Sequence, residues 1–215
     1  MIKRVLVINP NSNESVTHGI EDALGSFTDA EGMDIDCVGL ANGPFGIESD
    51  TDINRVLPMI VREISSSTDN YDAFVIACYS DPGLAECRTI TKKPIFGIHE
   101  SAVTLSASYG RKFGVLALGR ASIQRHIMYV RKLGLANFHA GERPLAISVD
   151  QAANDPHTLQ KIIDTGRELI EEDGAETLIL GCAGMVKHRQ PAQDKLGVPV
   201  IDPVQAAVTL IAQLG

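Results

Sequence analysis

Several things are scarce or missing in this 215-residue chain, and each absence excludes something. Basic residues are outnumbered: 19 Lys and Arg stand against 27 Asp and Glu, giving a net charge of −8. Phosphate backbones are held by clustered Lys and Arg, so nucleic acid is not expected as a partner. No apolar run approaches the ~18 residues of a membrane span, so no membrane partner is expected either. The basic start Met1-Ile2-Lys3-Arg4 is followed by only Val5 to Ile8 before Asn9-Pro10-Asn11, too short for a signal peptide. A cytoplasmic protein with reduced thiols is therefore expected, and Asn13-Glu14-Ser15 carries no weight as a glycosylation acceptor. The four cysteines form no Cys-x-x-Cys pair, and the six histidines are scattered, so no zinc site or other metal is expected. Low-complexity linkers, heptads and long charge runs are missing as well.

What the chain does have is alternation. Apolar runs at 4–8, 35–40, 73–78, 95–98, 113–118, 145–149, 177–181 and 198–201 read as strands. Helical patterns at 15–24, 53–65, 101–108, 122–133, 158–172 and 204–214 fill most of the gaps. Strands alternating with helices indicate βαβ units and parallel sheets, the α/β class.

The pattern also repeats. Pro94-Ile95-Phe96 and Ala102-Val103-Thr104-Leu105 match Pro199-Val200-Ile201 and Ala207-Val208-Thr209-Leu210, with 199 − 94 and 207 − 102 both equal to 105. A looser match pairs Val5-Leu6-Val7-Ile8 with Val115-Leu116-Ala117-Leu118 at a spacing of 110. Repeats of this size indicate duplicated domains, since solenoid periods are much shorter. The expected division is 1–100 with 205–215 as one half and 101–204 as the other.

Cys78 and Cys182 keep nearly the same frame, at 182 − 78 = 104, and each ends an apolar run. Strand ends are where open α/β sheets place ligands, and one thiol from each half suggests chemistry on two faces of one carbon. A lone cysteine there is more often a buried small hydrophobe; the matched pair favours function. Cys37 and Cys87 have no counterparts and read as structural. Turns rich in Gly and Pro follow the thiols, and their backbone N–H groups favour thiolates; Pro82 suits the first turn of a helix.

Asn9-Pro10-Asn11-Ser12 reads equally as helix cap or as polar ligand contact. Gly43-Pro44-Phe45-Gly46-Ile47-Glu48-Ser49 reads alone as a turn. Gly119-Arg120-Ala121-Ser122 reads as a helix cap, and the histidines as surface or satisfied side chains.

Taken together, Asn9–Ser12, Gly43-Pro44 with Ile47-Glu48-Ser49, Cys78-Tyr79-Ser80-Asp81-Pro82-Gly83-Leu84 and Leu180-Gly181-Cys182-Ala183-Gly184-Met185 resemble the hydantoin racemase family of the aspartate/glutamate racemase superfamily. The resemblance spans almost the whole chain. It implies two similar Rossmann- or flavodoxin-like domains related by a pseudo-twofold axis, with the active site in the cleft between them. It implies cofactor-independent racemisation of a 5-substituted hydantoin, allantoin or a related small cyclic ureide, in a homo-oligomer. Cys78 and Cys182 would be the acid and base, with Asn11, Ser12, Pro44, Glu48, Tyr79, Ser80, Ala183 and Gly184 binding substrate. Backbone N–H groups of Tyr79, Ser80, Ala183 and Gly184 would hold the enolate-like intermediate. Two departures bear on the substrate: Ala117-Leu118-Gly119-Arg120 replaces a polar Thr-Thr-like pair, and Tyr79 stands where Phe is common. The rival readings are an arylmalonate decarboxylase or maleate isomerase on the same scaffold, and a non-catalytic binding module.

Overall fold

The computed structural model describes residues 2–214, apart from the side chains of Ser26, Asp29, Ala30 and Glu31. The chain runs through β1 (Arg4–Asn9), α1 (Glu14–Glu31), β2 (Asp34–Gly39), α2 (Asp50–Ser67), β3 (Ala73–Ile76), α3 (Leu84–Ile90), β4 (Ile95–Gly97) and α4 (Ile98–Ser108). It continues with β5 (Phe113–Ala117), α5 (Arg120–Lys132), β6 (His139–Pro144), α6 (Val149–Asn154), α7 (Thr158–Glu171), β7 (Thr177–Leu180), α8 (Arg189–Leu196), β8 (Val200–Ile201) and α9 (Pro203–Ala212). Two four-stranded parallel sheets result, ordered β2-β1-β3-β4 and β6-β5-β7-β8. Each number in the second order is the first plus four, so the duplication is one of topology.

The registers correct one of the sequence matches. Val5 pairs with Ala73 in the first sheet and Phe113 with Thr177 in the second. Since 177 − 73 = 104, the frame of the cysteines, the equivalent of Val5 is Phe113, at 113 − 5 = 108 rather than 110. A slip of two residues leaves every side chain on its own face, so hydropathy cannot detect it. The 105 spacing is the true one for β4 and β8, where Phe74 pairs with Ile95 and Leu178 with Val200.

Both faces of each sheet are covered. In β1, Val5 and Val7 join Ile20 and Leu24 of α1 and Val204 and Ile211 of α9, while Leu6 and Ile8 join Val56 and Ile60 of α2. In the second half, Val115 and Ile179 join Val130 of α5, while Leu116 and Leu178 join Ile162 and Leu169 of α7. Burying alternate residues on opposite faces requires continuous apolar runs, which the central strands have.

The repeated Ala-Val-Thr-Leu lies in α4 and α9, which pack against each other between the sheets. Ala102, Val103, Ala207 and Val208 are completely buried there. Small residues let two helix backbones come close, which accounts for the same tetrapeptide in both partners. Each of these helices serves both cores: Ile98 and Val204 lie in one, Ala102 and Ala206 in the other.

The strand expected at 145–149 is absent. Leu145 and Ile147 continue the pairing, donating N–H groups to the carbonyls of Ala117 and Leu118, but Ala146 has φ 53° and breaks the strand. The true neighbour of β5 is β6, His-Ala-Gly-Glu-Arg-Pro, a half-buried edge strand whose polarity hides it from an apolar pattern.

Candidate active site

In each sheet the chain leaves the central strands in opposite directions, β1 toward β2 and β3 toward β4. That reversal opens a crevice at the carboxyl ends of the strands, the ordinary ligand position of such sheets. Cys78 follows the end of β3 by 78 − 76 = 2 residues, and Cys182 follows the end of β7 by 182 − 180 = 2. Both line one cavity of about 250 Å³ between the two sheets, and all four cysteines are free thiols.

Each sulfur meets a backbone N–H from its own turn. Cys182 caps the short 3-10 segment Ala183–His188, its Sγ accepting from Gly184 N–H at 3.4 Å. The N–H of Ser80 favours the Cys78 anion. Both N–H groups favour thiolate, but burial outweighs them: Cys78 is pushed up to about 11 and Cys182 to about 12. Asp81 raises Cys78 further and Arg125 lowers it; Cys182 is raised by the charges of Cys78, Asp202 and Glu48. Of the backbone N–H groups expected to hold an enolate, that of Gly184 donates to Cys182 Sγ.

The Cys78 turn is held by its own carboxylate. Asp81 sits at φ 44°, an uncommon backbone region for any residue but Gly. Its oxygens accept the N–H groups of His99 at 2.9 Å and Glu100 at 2.8 Å, which opens α4. The cap of α4 is Gly97, where a Cβ would lie 2.3–2.5 Å from the Asp81 carboxylate. Pro82 lies outside α3, whose cap is Gly83. Gly181 is small for the sake of β5: a Cβ there would lie 2.6 Å from the Leu116 carbonyl oxygen.

Of the remaining expected residues, Asn11, Glu48, Tyr79, Ser80 and Ala183 line the cavity. Asn11 is buried, and its Oδ1 is used internally, accepting from Asn9 Nδ2 at 3.0 Å and Asn13 N–H at 2.9 Å. The helix cap is Asn13, so of the two readings of this turn, cap and ligand contact, Asn11 is positioned for the second. Glu48 Oε1 accepts from Val149 N–H at 2.8 Å, joining the two halves. Ser12 and Pro44 do not line the cavity; Ser12 N–H donates to the Pro44 carbonyl at 3.0 Å and holds two loops together. Gly184 reaches the site only through its bond to Cys182.

The other wall was legible only through the departure at Ala117-Leu118-Gly119-Arg120, expected to bear on the substrate. The turn Gly119–Ser122, which taken alone reads as a helix cap, lines the cavity, and Gly119 makes no side-chain cap bond. Arg125, His126, Ile147 and Val149 complete that wall. Arg125 spans the halves, bonding the Asp50 carboxylate and reaching Ser80 Oγ at 3.3 Å. His126 is buried, with Nδ1 2.6 Å from Glu142 Oε1, and its ring lies edge-on to Tyr79. The signal available was the correspondence of the turns after β1 and β5, which places Gly119 opposite Asn11 at 119 − 11 = 108.

A family profile described as Asp/Glu/Hydantoin racemase matches residues 5–211. The chain belongs to that family. It is an isomerase of the racemase type, as the resemblance implied. The chain is 34% identical to a hydantoin racemase of Paenarthrobacter aurescens, covering 98% of this chain and 90% of that one. It is 36% identical to a hydantoin racemase of Pseudomonas sp. (strain NS671), covering 95% and 83%. Among solved structures, allantoin racemase from Klebsiella pneumoniae superposes with a TM-score of 0.92 at 27% identity, covering 99% of this chain and 87% of that one.

Proposed function

We propose that this racemase inverts C5 of a 5-substituted hydantoin, allantoin or a related cyclic ureide, using Cys78 and Cys182 as its acid and base. The observation that carries the reading is that both thiols, each two residues beyond equivalent strands, line one small cavity. The substrate's C5 proton is acidified by the adjacent carbonyl. One sulfur, as thiolate, takes that proton and becomes thiol, while the electron pair moves into the carbonyl to give an enolate. The other thiol returns a proton to the opposite face of C5 and becomes thiolate. The pair has exchanged roles, ready for the other enantiomer, and no proton is left unaccounted for.

Asp81 opposes and Arg125 favours the Cys78 anion, while Asp202 and Glu48 both oppose that of Cys182. Free thiols in both positions require a reducing compartment, which agrees with a cytoplasmic enzyme.

The test is optical-rotation decay of enantiopure hydantoins and allantoin, repeated in deuterium oxide. Wild type should place deuterium at C5 of product from either hand. Cys78→Ser and Cys182→Ser proteins should exchange opposite enantiomers without inverting them. Exchange of the same enantiomer by both variants would end the one-thiol-per-face assignment. A non-catalytic binder would exchange nothing, and a decarboxylase of the one-thiol kind would tolerate loss of one sulfur.

A further inference from the structure

The wall opposite Asn11 carries more positive character than proton transfer at C5 requires. It is built from the first turns of α5, a thirteen-residue helix whose Gly119 cap makes no side-chain bond and whose first turn has no acidic residue. Gly119, Arg120, Ala121 and Ser122 line the cavity, so the helix's free N–H groups open onto it. Two side chains further along the helix line the same wall, each with a buried nitrogen that has no partner. Arg125 is held by Asp50 and Ser80, yet its Nε has no partner. His126 has a side chain only 4% exposed; Glu142 holds its Nδ1, and its Nε2 has no partner. Arg120 makes no hydrogen bond or ion pair among the described residues.

Buried donors without partners are costly, and such groups are normally satisfied by what binds. Glu48 is the one carboxylate lining the cavity; its Oε1 is committed to Val149 and its charge falls on Cys182. The cavity is therefore polarised, with the acidic group toward Cys182 and the cationic group toward Cys78.

We propose that this wall binds a carboxylate carried on the C5 substituent, so that the preferred substrates are hydantoins of acidic side chain. Arg125 contributes N–H groups to the carboxylate, His126 adds its Nε2–H when the ring is imidazolium, Arg120 contributes charge, and the α5 N-terminus faces it. Choosing the substituent rests on the racemase reading; the anion site itself does not.

The experiment compares 5-(2-carboxyethyl)hydantoin with its neutral isostere, 5-(2-carbamoylethyl)hydantoin. Charge-assisted hydrogen bonds to a carboxylate correspond to roughly ten- to a hundredfold in kcat/KM. Wild type should favour the acid by that factor, and Arg125→Gln should collapse the ratio toward one. The ratio is the readout because Arg125 also acts on Cys78, which slows both compounds together. Equal kcat/KM for acid and amide in wild type, or equal losses for both in Arg125→Gln, overturns the proposal. Calorimetric binding of both compounds to Cys182→Ser protein, with and without Arg125→Gln, separates the two readings. Arg125-dependent preference for the acid without turnover of either compound in wild type upholds the anion site and removes these hydantoins as substrates. Indifference in binding as well as in rate removes the anion site.

Discussion

The two halves share one sheet order but finish their cleft-facing helices differently. In the second, Asp202 is the N-cap of α9 and accepts from Gln205 N–H at 2.8 Å. The equivalent position in the first, 202 − 105 = 97, is Gly97, and the carboxylate comes instead from Asp81 in the Cys78 turn. The same orphan N–H groups are satisfied by the same chemistry, once from the helix's own cap and once from the catalytic loop. The borrowed cap locks the Cys78 turn to α4, whereas the Cys182 turn is held through Gly184 and through its 3-10 segment, whose Lys187 donates to the Ala153 carbonyl of α6. A duplicated scaffold thus supplies two thiols at matched positions and gives them unequal surroundings.

The sharpest break of the pairing is removal of either sulfur. Cys78→Ser and Cys182→Ser should each lower racemisation by about 10³-fold or more, the scale of losing an acid–base group. Cys37→Ala and Cys87→Ala should stay within about threefold, since neither lines the cavity. Racemisation within about tenfold of wild type by either active-site variant would show that its thiol is dispensable.

Inequality between the thiols should appear in the pH profile. Both are raised, Cys78 to about 11 and Cys182 to about 12, so the thiolate required as base is scarce at neutral pH. After subtraction of the uncatalysed rate, kcat/KM should rise by about tenfold or more between pH 7.5 and 9.5. Arg125→Gln should move that rising limb to higher pH, because it removes the charge that favours the Cys78 anion. A flat profile would mean that bound substrate, rather than the empty site, sets the thiolate population.

The caps give a stability comparison. Gly97→Ala drives a methyl into the Asp81 carboxylate and should cost about 1–3 kcal/mol in denaturant unfolding. Asp202→Ala removes an ordinary N-cap and should cost about 1 kcal/mol. It is Gly97→Ala, and not Asp202→Ala, that should also disturb turnover through the Cys78 turn.

The smallest effect separates the buried carboxylates themselves. Burial raises Asp81 and Asp202 from 3.8 to about 7, and Asp202 Oδ2 has no partner. The folded chain holds protons there that the unfolded chain releases near pH 4. Their contribution to stability is complete below that pH, declines through pH 4–7 and is lost above 7. Compared with wild type, Asp202→Asn should show a smaller fall in Tm between pH 5 and 8. An identical fall would mean that Asp202 titrates normally in the folded protein.

How much of this was legible differs by element. The strands β1, β3, β5 and β7 announced themselves because burial on both faces leaves unbroken apolar runs. Edge strand β6 did not, since half-burial allows His, Glu and Arg along it. Tyr79 and Ser80 were found as neighbours of Cys78, and Asn11 and Glu48 as parts of turns already marked by their motifs. Arg125 and His126 were missed because nothing adjacent in the chain distinguishes them from an exposed helix face. Only docking α5 against Asp50, Ser80 and Glu142 makes them a wall of the site.

The sequence by itself determined the α/β class, the duplication and the two matched cysteines, because each is written in local runs and in spacings that survive without coordinates. Tertiary structure decided the rest: which turns face the thiols, which charges act on each thiol, that Asp81 caps a helix beginning seventeen residues beyond it, and that the repeat of β1 runs at 108. Those depend on distances between residues far apart in the chain. Burial and electrostatic coupling act through such distances, and spacing along a chain does not encode them.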